Sequence, residues 1–584
     1  MVRTFGISLL AGLALTSGLS AQQASDTVAP EAATPSLTAA AAGEPVRAKE
    51  WMVSAANPLA AQAGADILAA GGNAIDAMVA VQLVLGLVEP QSSGLGGGAF
   101  LVYQDVQSGG VTTLDGRETA PAAALPQLFL DADGQPLKFF DAVVGGLSVG
   151  VPGTPRLLED AHRRWGKLAW RRLFESAERL AREGFPVSPR LAGAIAEDAE
   201  RLRSSPAIAA YFLPGGVPLA PGATLRNEAY ADTLRALAEG GADAFYHGPI
   251  AEAVVAAVKG AQRPGTLAAS DLANYRTVER PALCVTYRAY DVCGMGPPSS
   301  GAVAVGQILK LIEPFDIAAL GPDDPQSWRI IGDASRLAFA DRERYLADSD
   351  FLPVPLKGLL ADDYLAARSD LLRNDRALPD AEPGEPEWDH AQLWGDDEAI
   401  ELPSTSHFSI VDDEGNALSM TTTIENGFGS RLMAAGFVLN NELTDFSFRT
   451  HADGLPIANR VEPGKRPRSS MSPTIVLEDG RPRLVIGSPG GSQIIGYVAK
   501  TIVAHLDWGL DIQQAVALPH VLNRFGPMEL EAGTPAADMA KDLEALGFET
   551  ETRELNSGLN GIAITADGLA GGNDPRREGV SIGR

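Results

Sequence analysis

Residues 404–423, with the sequence STSHFSIVDDEGNALSMTTT, form the most informative segment of this chain. Apolar residues recur on both sides of the polar run at 412–416, a pattern that predicts two strands joined by a tight turn. The segment before it, 380–402, is acidic, is interrupted by proline and has neither helical nor strand periodicity. A loop therefore leads into a predicted β-hairpin whose first residues carry hydroxyl groups.

Thr405 lies where this loop meets the first strand, and that position has a chemical use. Cleavage of the bond between Ser404 and Thr405 would give Thr405 a free α-amine beside its own hydroxyl. An α-amine has an ordinary pKa of about 7.7 to 8.0, so it can accept the hydroxyl proton near neutral pH. N-terminal threonine is a known activated nucleophile. Taken alone, however, the tripeptide Ser-Thr-Ser favours the alternative that Thr405 is an ordinary β-branched strand residue.

Longer motifs along the chain favour the nucleophile. They resemble the gamma-glutamyltransferases, also called gamma-glutamyltranspeptidases, which are N-terminal nucleophile hydrolases. The matching segments are LDGRETAP (114–121), TSHFS (405–409), LNNELTDF (439–446), KRPRSSMSPT (465–474) and GSPGGS (487–492). Several long motifs in family order are far more specific than any one of them.

The resemblance implies an α+β fold, the four-layer αββα sandwich of N-terminal nucleophile hydrolases, with two antiparallel sheets. It also implies self-cleavage before Thr405, which gives a large subunit (46–404) and a small subunit (405–584) that stay associated as a heterodimer. The mature Thr405 would form a γ-glutamyl ester from glutathione or another γ-glutamyl amide. Water or an amino-acid or peptide acceptor would then resolve the ester, and no cofactor takes part.

Roles in catalysis follow from the same resemblance. Thr423 is expected to hydrogen-bond and orient the Thr405 hydroxyl. Gly490 and Gly491 are expected to present backbone N–H groups to the oxyanion, where removal of one such donor typically costs about 2.7 to 4 kcal/mol.

The resemblance also assigns residues to the amino-acid head group of the substrate. Arg117, with Ser469 and Ser470, is expected to bind the α-carboxylate, a task suited to a planar bidentate donor. Glu442 and Asp445 are expected to bind the α-ammonium. A solvated loop is the alternative for these acids, but together the five residues supply what a free amino-acid head group needs.

Two features depart from the family pattern. Glu425 is assigned to the head group by its position, but it stands where asparagine is common in the family. Some members carry a lid with a tyrosine between the positions of Asp445 and Ser469, and this chain has no tyrosine there. A different lid would leave the pocket more open and change the balance between hydrolysis and transpeptidation.

Composition and the N-terminus indicate an exported protein. The 584 residues carry a formal net charge of −27, which argues against nucleic acid as a partner because phosphate binding needs clustered Lys and Arg. Residues 1–21 have the charged start, short apolar run and small residue of a signal peptide, and 22–45 have the composition of a disordered lead-in. We therefore expect a periplasmic or secreted protein without a membrane span in its mature form.

The two cysteines, Cys284 and Cys293, fit a hairpin that turns at residues 288–289. In that register they face each other at a non-hydrogen-bonded pair, where Cα atoms lie about 4.5 Å apart. This is near the short end of disulfide geometry, so the register predicts a disulfide, with two buried thiols as the alternative. No further ligands are spaced for a metal site.

Two common motifs occur in the wrong structural context. Residues 94–99 fit a dinucleotide loop but follow a predicted helix, 74–88, and precede a strand. Their glycines are expected to allow close backbone packing instead. Residues 146–150 fit the nucleophile elbow, but no strand-turn-helix surrounds them, so we reject that reading.

Two alternative functions stay open at this stage. One is an acylase of the same fold that acts on glutaryl or cephalosporin-type side chains, which lack an α-amino group. The other is an unprocessed binding protein for γ-glutamyl peptides, which would remain a single polypeptide. A requirement for the α-amino group separates the first from a gamma-glutamyltransferase, and the absence of cleavage identifies the second.

Overall fold

Two seven-stranded antiparallel sheets form the centre of the computed structural model, which describes residues 43–390, 392–399 and 401–584. The predicted signal peptide and most of the predicted lead-in lie outside these residues. The fourteen sheet strands are β1 (Val46–Ala48), β2 (Met52–Ala55), β3 (Gly98–Asp105), β4 (Gly110–Gly116), β5 (Val278–Pro281), β6 (Leu283–Tyr287), β7 (Tyr290–Gly294), β8 (Ser406–Val411), β9 (Ala417–Thr423), β10 (Thr474–Glu478), β11 (Arg481–Gly487), β12 (Asn560–Thr565), β13 (Gly568–Asn573) and β14 (Val580–Gly583). The first sheet has the order β14-β2-β8-β9-β3-β4-β5, and the second has the order β1-β13-β12-β11-β10-β7-β6.

The predicted hairpin is the centre of the first sheet. Strands β8 and β9 pair with Phe408 opposite Met420 and Ile410 opposite Leu418. The side chain of Asp412 accepts hydrogen bonds from the backbone N–H groups of Glu414 and Asn416 at 3.1 and 2.9 Å, which closes the turn. The sequence pattern therefore predicted this hairpin correctly.

The two faces of β8 explain the layered architecture. Phe408 and Ile410 lie in a core formed with helices of the N-terminal half. Val411 lies in a second core between the two sheets, and Ser409 on the same face donates to the Asn560 carbonyl of the other sheet at 3.0 Å. Because strand side chains alternate, one strand contacts both a helical layer and the facing sheet.

A third core packs the second sheet against helices of the C-terminal half, among them Gly301–Ile312 and Ile494–Leu506. Helices, sheet, sheet and helices thus follow one another in four layers. This confirms the predicted αββα sandwich.

The helices of the described chain lie mainly in the two outer layers. The α-helices are Pro58–Ala69, Ala74–Val88, Phe139–Val143, Thr154–Trp165, Glu175–Glu183, Pro189–Glu197, Ala199–Leu202, Pro206–Phe212, Glu228–Gly240, Asp243–Tyr246, Gly248–Gly260, Ala269–Asn274, Gly301–Ile312, Ile317–Leu320, Pro325–Tyr345, Leu356–Leu359, Asp362–Asp370, Ile494–Leu506, Ile512–Ala517, Pro535–Asp538 and Ala540–Leu546. The 3₁₀ turns are Trp170–Phe174, Pro214–Gly216, Leu371–Arg373, Glu442–Asp445 and Gly491–Gln493. Short strands outside the two sheets are Phe185–Pro186, Thr224–Leu225, Met433–Ala434, Phe437–Val438, His451–Ala452, Leu455–Pro456, Val521–Leu522, Met528–Glu531 and Thr550–Arg553.

The helix Ala74–Val88 is buried along its whole length, as its apolar sequence predicts. The loop after it contains Gly96 and Gly97. A Cβ atom on Gly97 would lie 2.0 Å from the carbonyl oxygen of Thr423, and one on Gly96 equally close to that of Val438. These glycines therefore allow close backbone packing, Gly97 against the end of β9 and Gly96 against the strand Phe437–Val438, which is the role expected for them.

The cysteine hairpin has the predicted register, with Cys284 opposite Cys293 across β6 and β7. Their sulfur atoms form a disulfide, and their Cα atoms are 4.0 Å apart. Of the helices in the described part of the chain, none combines the length and hydrophobicity that a bilayer crossing requires.

Candidate active site

The nucleophile predicted from sequence lies buried directly before β8, in an intact chain. Its hydroxyl oxygen, Thr405 Oγ1, is 2.5 Å from the carbonyl oxygen of Ser404 and 3.2 Å from Thr423 Oγ1. The Thr423 hydroxyl donates to the same Ser404 carbonyl oxygen at 3.1 Å. Because β8 and β9 are hydrogen-bonded neighbours, the hairpin itself brings the two threonines to the bond that would be cut.

Residues from distant segments position the backbone around Thr405. Arg577 donates to the Thr405 carbonyl oxygen at 3.2 Å. The Ser406 hydroxyl donates to Glu89 at 2.9 Å, and Arg190 pairs with Glu89 at the same distance. None of these contacts could be found from local sequence, because each joins residues more than a hundred positions apart.

His407 does not act as a base for Thr405. Its ring nitrogens contact Thr421 Oγ1 at 2.9 Å and Ser409 Oγ at 3.1 Å, on the face between the sheets. Complete burial lowers the His407 pKa to about 3, so the ring is neutral. The α-amine that cleavage would create is therefore the base that this geometry leaves for the threonine hydroxyl.

The glycine pair predicted to bind the oxyanion forms a tight turn before the helix Ile494–Leu506. Gly490 and Gly491 have φ values of 137° and 58°, backbone conformations that residues with a side chain rarely adopt. A Cβ atom on Gly491 would lie 2.3 Å from the carbonyl oxygen of Glu401. In the intact chain this turn thus lies directly against the segment that precedes the cleavage site.

Arg117 is buried together with the two acids predicted to bind an ammonium group. It pairs with Glu442 and, at 2.5 Å, with Asp445. It also donates to the backbone carbonyls of Pro467 at 3.2 Å and Arg468 at 2.9 Å. The fold therefore brings the predicted carboxylate-binding and ammonium-binding residues into one cluster, in which they pair with each other.

One of the two predicted serines, Ser470, contacts a second arginine that the sequence motifs did not identify. Arg342 donates to Ser470 Oγ at 2.8 Å and pairs with Glu401. The Ser470 backbone N–H donates to Glu401 at 2.8 Å. The Ser469 hydroxyl accepts from the Met471 N–H at 3.1 Å. The helix Pro325–Tyr345 carries Arg342 into the site, and no local signal distinguished it from a structural arginine.

Acids outnumber the cations available to them in this cluster. Burial, together with the neighbouring carboxylate charges, raises the pKa values of Glu425, Glu442 and Asp445 well above their usual range. Burial also raises the Glu118 pKa, to about 8. The acids favour their protonated, neutral forms because the buried cluster has too little positive charge to balance them. A bound ammonium group would supply that charge.

Glu425, the residue that departs from the family pattern, belongs to this cluster. It accepts hydrogen bonds from the Asn441 side chain and, at 3.4 Å, from the Leu402 N–H. Its φ is 75°, in the left-handed region where asparagine is favoured over longer side chains. Among the described residues, no group of three or more histidine, cysteine or carboxylate side chains is placed to hold a metal ion.

A buried threonine at the start of a central strand, next to a glycine turn in an αββα sandwich, defines an N-terminal nucleophile hydrolase. Comparison with known sequences narrows this class to one family. The chain belongs to the gamma-glutamyltranspeptidase family, whose model, described as "Gamma-glutamyltranspeptidase", matches residues 60–584. It is accordingly a self-processing gamma-glutamyltransferase or glutathione hydrolase.

Curated relatives agree with this assignment. The chain is 38% identical over 552 residues to the glutathione hydrolase proenzyme of Bacillus subtilis (strain 168), covering 92% of each chain. It is 37% identical over 548 residues to that of Escherichia coli (strain K12), covering 91% of each. Among solved structures it resembles a cephalosporin acylase from Bacillus halodurans, with a TM-score of 0.80 and 27% identity, over 92% of this chain and 97% of that one.

Proposed function

We propose that this chain is a proenzyme that cuts itself before Thr405 and then acts on glutathione and other γ-glutamyl amides. The observation that carries the proposal is the position of the Thr405 and Thr423 hydroxyls at the Ser404 carbonyl. The Thr405 oxygen attacks this carbonyl carbon while Thr423 donates a hydrogen bond to its oxygen. The bond between the Ser404 carbonyl carbon and the Thr405 nitrogen breaks, the nitrogen takes up the hydroxyl proton and leaves as the α-amine, and water then hydrolyses the ester between Ser404 and Thr405 Oγ1.

Turnover uses the groups that cleavage creates. The new α-amine accepts the proton of the Thr405 hydroxyl, whose oxygen attacks the γ-carbonyl carbon of the donor. Backbone N–H groups of Gly490 and Gly491 stabilise the oxyanion. The leaving amine takes up the proton, and the resulting γ-glutamyl ester is resolved by water or by the amine of an amino-acid or peptide acceptor.

The charged cluster would select the head group of the donor. Arg117 with Ser469 and Ser470 provides donors for an α-carboxylate. Glu442 and Asp445, with Glu425 beside them, provide acceptors for an α-ammonium. The raised pKa values of these three acids support this assignment, because an ammonium supplies the positive charge that the buried cluster lacks.

The two products of cleavage, residues 46–404 and 405–584, would remain one folded unit. Strand β8 lies between β2 and β9, and β9 lies between β8 and β3. Strands from both products thus alternate within one sheet, so separation would break three strand interfaces there: β14–β2, β2–β8 and β9–β3. A disulfide in the described chain and the signal-like N-terminus support export to the periplasm or the exterior.

Denaturing electrophoresis with N-terminal sequencing tests the processing step directly. The wild-type protein should give a smaller chain that begins Thr-Ser-His, whereas Thr405→Ala should remain one chain. Thr405→Ser, which keeps the hydroxyl, is the matched control and should still be cleaved. A wild-type protein that stays whole would contradict the proposal and favour the unprocessed binding protein.

An acylase activity is the second candidate, favoured by the similarity to the cephalosporin acylase structure. The two functions differ in whether the donor carries an α-amino group. Parallel assays with γ-glutamyl-p-nitroanilide and glutaryl-p-nitroanilide separate them. We expect turnover of the first compound to dominate, because the carboxylate cluster requires a cationic partner; preference for the second would reverse the assignment.

A further inference from the structure

Glu401 precedes the nucleophile Thr405 by four residues in the sequence. Its side chain is bound inside the candidate substrate site. One of its carboxylate oxygens pairs with Arg342, and the other accepts a hydrogen bond from the Ser470 N–H at 2.8 Å. Both side chains of the ion pair are buried, with 1% exposure for Arg342 and 6% for Glu401. The Glu401 carboxylate therefore occupies two hydrogen-bond donors of the site, the Arg342 guanidinium and the Ser470 backbone N–H.

The backbone of the same segment covers the other parts of the site. The Glu401 carbonyl oxygen lies against Gly491 and accepts from the Ser492 N–H at 3.3 Å. The Leu402 N–H donates to Glu425 at 3.4 Å. The cavity that Thr405, Arg117 and these residues line measures about 20 Å³. This volume is too small for an amino-acid head group, and Glu401 and Leu402 of the segment line what remains of the site in the intact chain.

Arg342 is fixed independently of Glu401. Its guanidinium donates to Ser300 Oγ at 2.9 Å and to Ser470 Oγ at 2.8 Å, and it also pairs with Glu343. If Glu401 leaves after cleavage, the arginine stays in place with one donor unpaired and buried. A buried guanidinium N–H without an acceptor is costly, so the position favours the entry of another carboxylate.

We propose that Glu401 is a built-in competitor of the donor, and that Arg342 binds the donor's α-carboxylate once Glu401 has withdrawn. The inference rests on the proposed function and adds regulation and a second carboxylate-binding cation to the same site. After cleavage the segment ends at Ser404 and stays tethered through the large subunit. A tethered ligand has an effective concentration of the order of millimolar, so its carboxylate continues to compete with the substrate.

The first test compares donor kinetics of fully processed wild-type, Glu401→Gln and Glu398→Gln enzymes with γ-glutamyl-p-nitroanilide. Glu398 lies in the same segment but pairs with Arg449, at 3.5 Å, and serves as the matched control. Glu401→Gln should lower KM several-fold without changing kcat, because the competitor is weakened while the catalytic groups remain. Glu398→Gln should leave both parameters unchanged.

The second test needs no variant of Glu401 and decides the matter if Glu401→Gln fails to fold or to be cleaved. An acetylated hexapeptide of residues 399–404, Ac-Ala-Ile-Glu-Leu-Pro-Ser, should inhibit the wild-type enzyme competitively with the donor. The same peptide with glutamine in place of glutamate should bind about tenfold more weakly, the loss expected for one charge-assisted interaction. An Arg342→Lys enzyme should show a raised donor KM and weaker inhibition by the glutamate peptide.

The outcomes separate the inference from the proposed function. A wild-type protein that is not cleaved, or does not turn over the γ-glutamyl compound, contradicts the proposed function. A cleaved and active wild type whose two peptides inhibit equally, or not at all, overturns the inference alone. An unchanged KM in a processed Glu401→Gln enzyme does the same.

Discussion

At the scale of single residues, the site is governed by burial of charged and polar groups. Thr405 and Thr423 contact the Ser404 carbonyl through hydroxyl groups that have few alternative partners. Arg117 and its acids pair in a space from which water is largely excluded. Removal of a single hydrogen-bond donor here has a large effect, because solvent cannot replace it.

The Thr423 hydroxyl is expected to stabilise the oxyanion formed during self-cleavage. Thr423→Val keeps the shape of the side chain but removes this donor, so cleavage should slow by about 10²- to 10³-fold, the usual cost of one oxyanion donor. A time course of chain cleavage on denaturing gels measures the rate. Thr423→Ser keeps the hydroxyl and should cleave much faster than the valine variant; equal rates for the two would argue against the role.

Donor affinity should depend on pH through the acid cluster. The pKa values of Glu425, Glu442 and Asp445 are raised, so these acids hold protons at pH values where ordinary carboxyl groups are ionised. An α-ammonium binds their ionised forms, so the donor KM should fall as pH rises, until the donor's own α-amine, with an ordinary pKa of about 7.7 to 8.0, loses its proton. Measurement of KM from roughly pH 5 to pH 7.5, where the donor keeps its ammonium group, checks this dependence.

A donor analogue without the α-amino group provides the control for the pH experiment. Its KM should not fall with rising pH, because nothing in it binds the ionised acids. Glu425→Asn removes one acid and suits the left-handed backbone at this position, so it should make the pH dependence shallower. A KM for γ-glutamyl donors that is constant with pH would contradict the charge assignment.

At the scale of secondary-structure elements, close contact between the two sheets is the main constraint. Strand β11 passes the face of β8 that carries His407, and Gly487 provides the space for its ring. Protein interiors are packed so tightly that even one added methyl group is felt. The small residues at this interface are therefore structural requirements.

Gly487→Ala tests the interface between the sheets. The added Cβ would lie 2.4 Å from His407 Cε1, so the variant should lose about 1 to 3 kcal/mol of unfolding free energy. Gly193→Ala is the matched control: it lies in the helix Pro189–Glu197 with no atom within 4 Å, and should be neutral or slightly stabilising. Thermal unfolding of both variants measures the change in Tm relative to the wild type. Equal Tm values for the two variants would show that the sheets can move apart locally to accept the methyl group.

At the scale of the whole molecule, the two products of cleavage share both sheets. In the second sheet, β1, β6 and β7 precede the cleavage site, whereas β10 to β13 follow it. Each product alone would expose strand edges and apolar faces that the other product covers. Cleavage should therefore change the chemistry of Thr405 without dividing the fold.

This interleaving predicts how the mature protein behaves in native separations. The cleaved wild type and the intact Thr405→Ala chain should elute at the same volume in size-exclusion chromatography. Denaturing gels of the same fractions should show two chains and one chain, respectively. Elution of the small chain by itself under native conditions would contradict the shared-sheet arrangement.

Local sequence was sufficient for the parts of the structure that depend on neighbouring residues. The hairpin β8–β9, the buried helix Ala74–Val88 and the cysteine register were predicted from alternation, apolar runs and turn chemistry. The nucleophile and the head-group residues were predicted because their motifs resemble those of a known family. Such features are encoded within short segments, so they can be read before the fold is known.

Only the tertiary structure showed how distant segments meet at Thr405. Glu401, Arg342 and Arg577 have no motif that indicates the site, and their positions depend on sheet order and helix packing across the whole chain. The structure also showed Arg117 paired with Glu442 and Asp445, where sequence assigned them to opposite ends of a ligand. The sequence by itself determined the local elements and the reactive residue types, because they depend on covalent neighbours. The tertiary structure decided which charges share a buried space, because that depends on contacts between segments far apart in the chain.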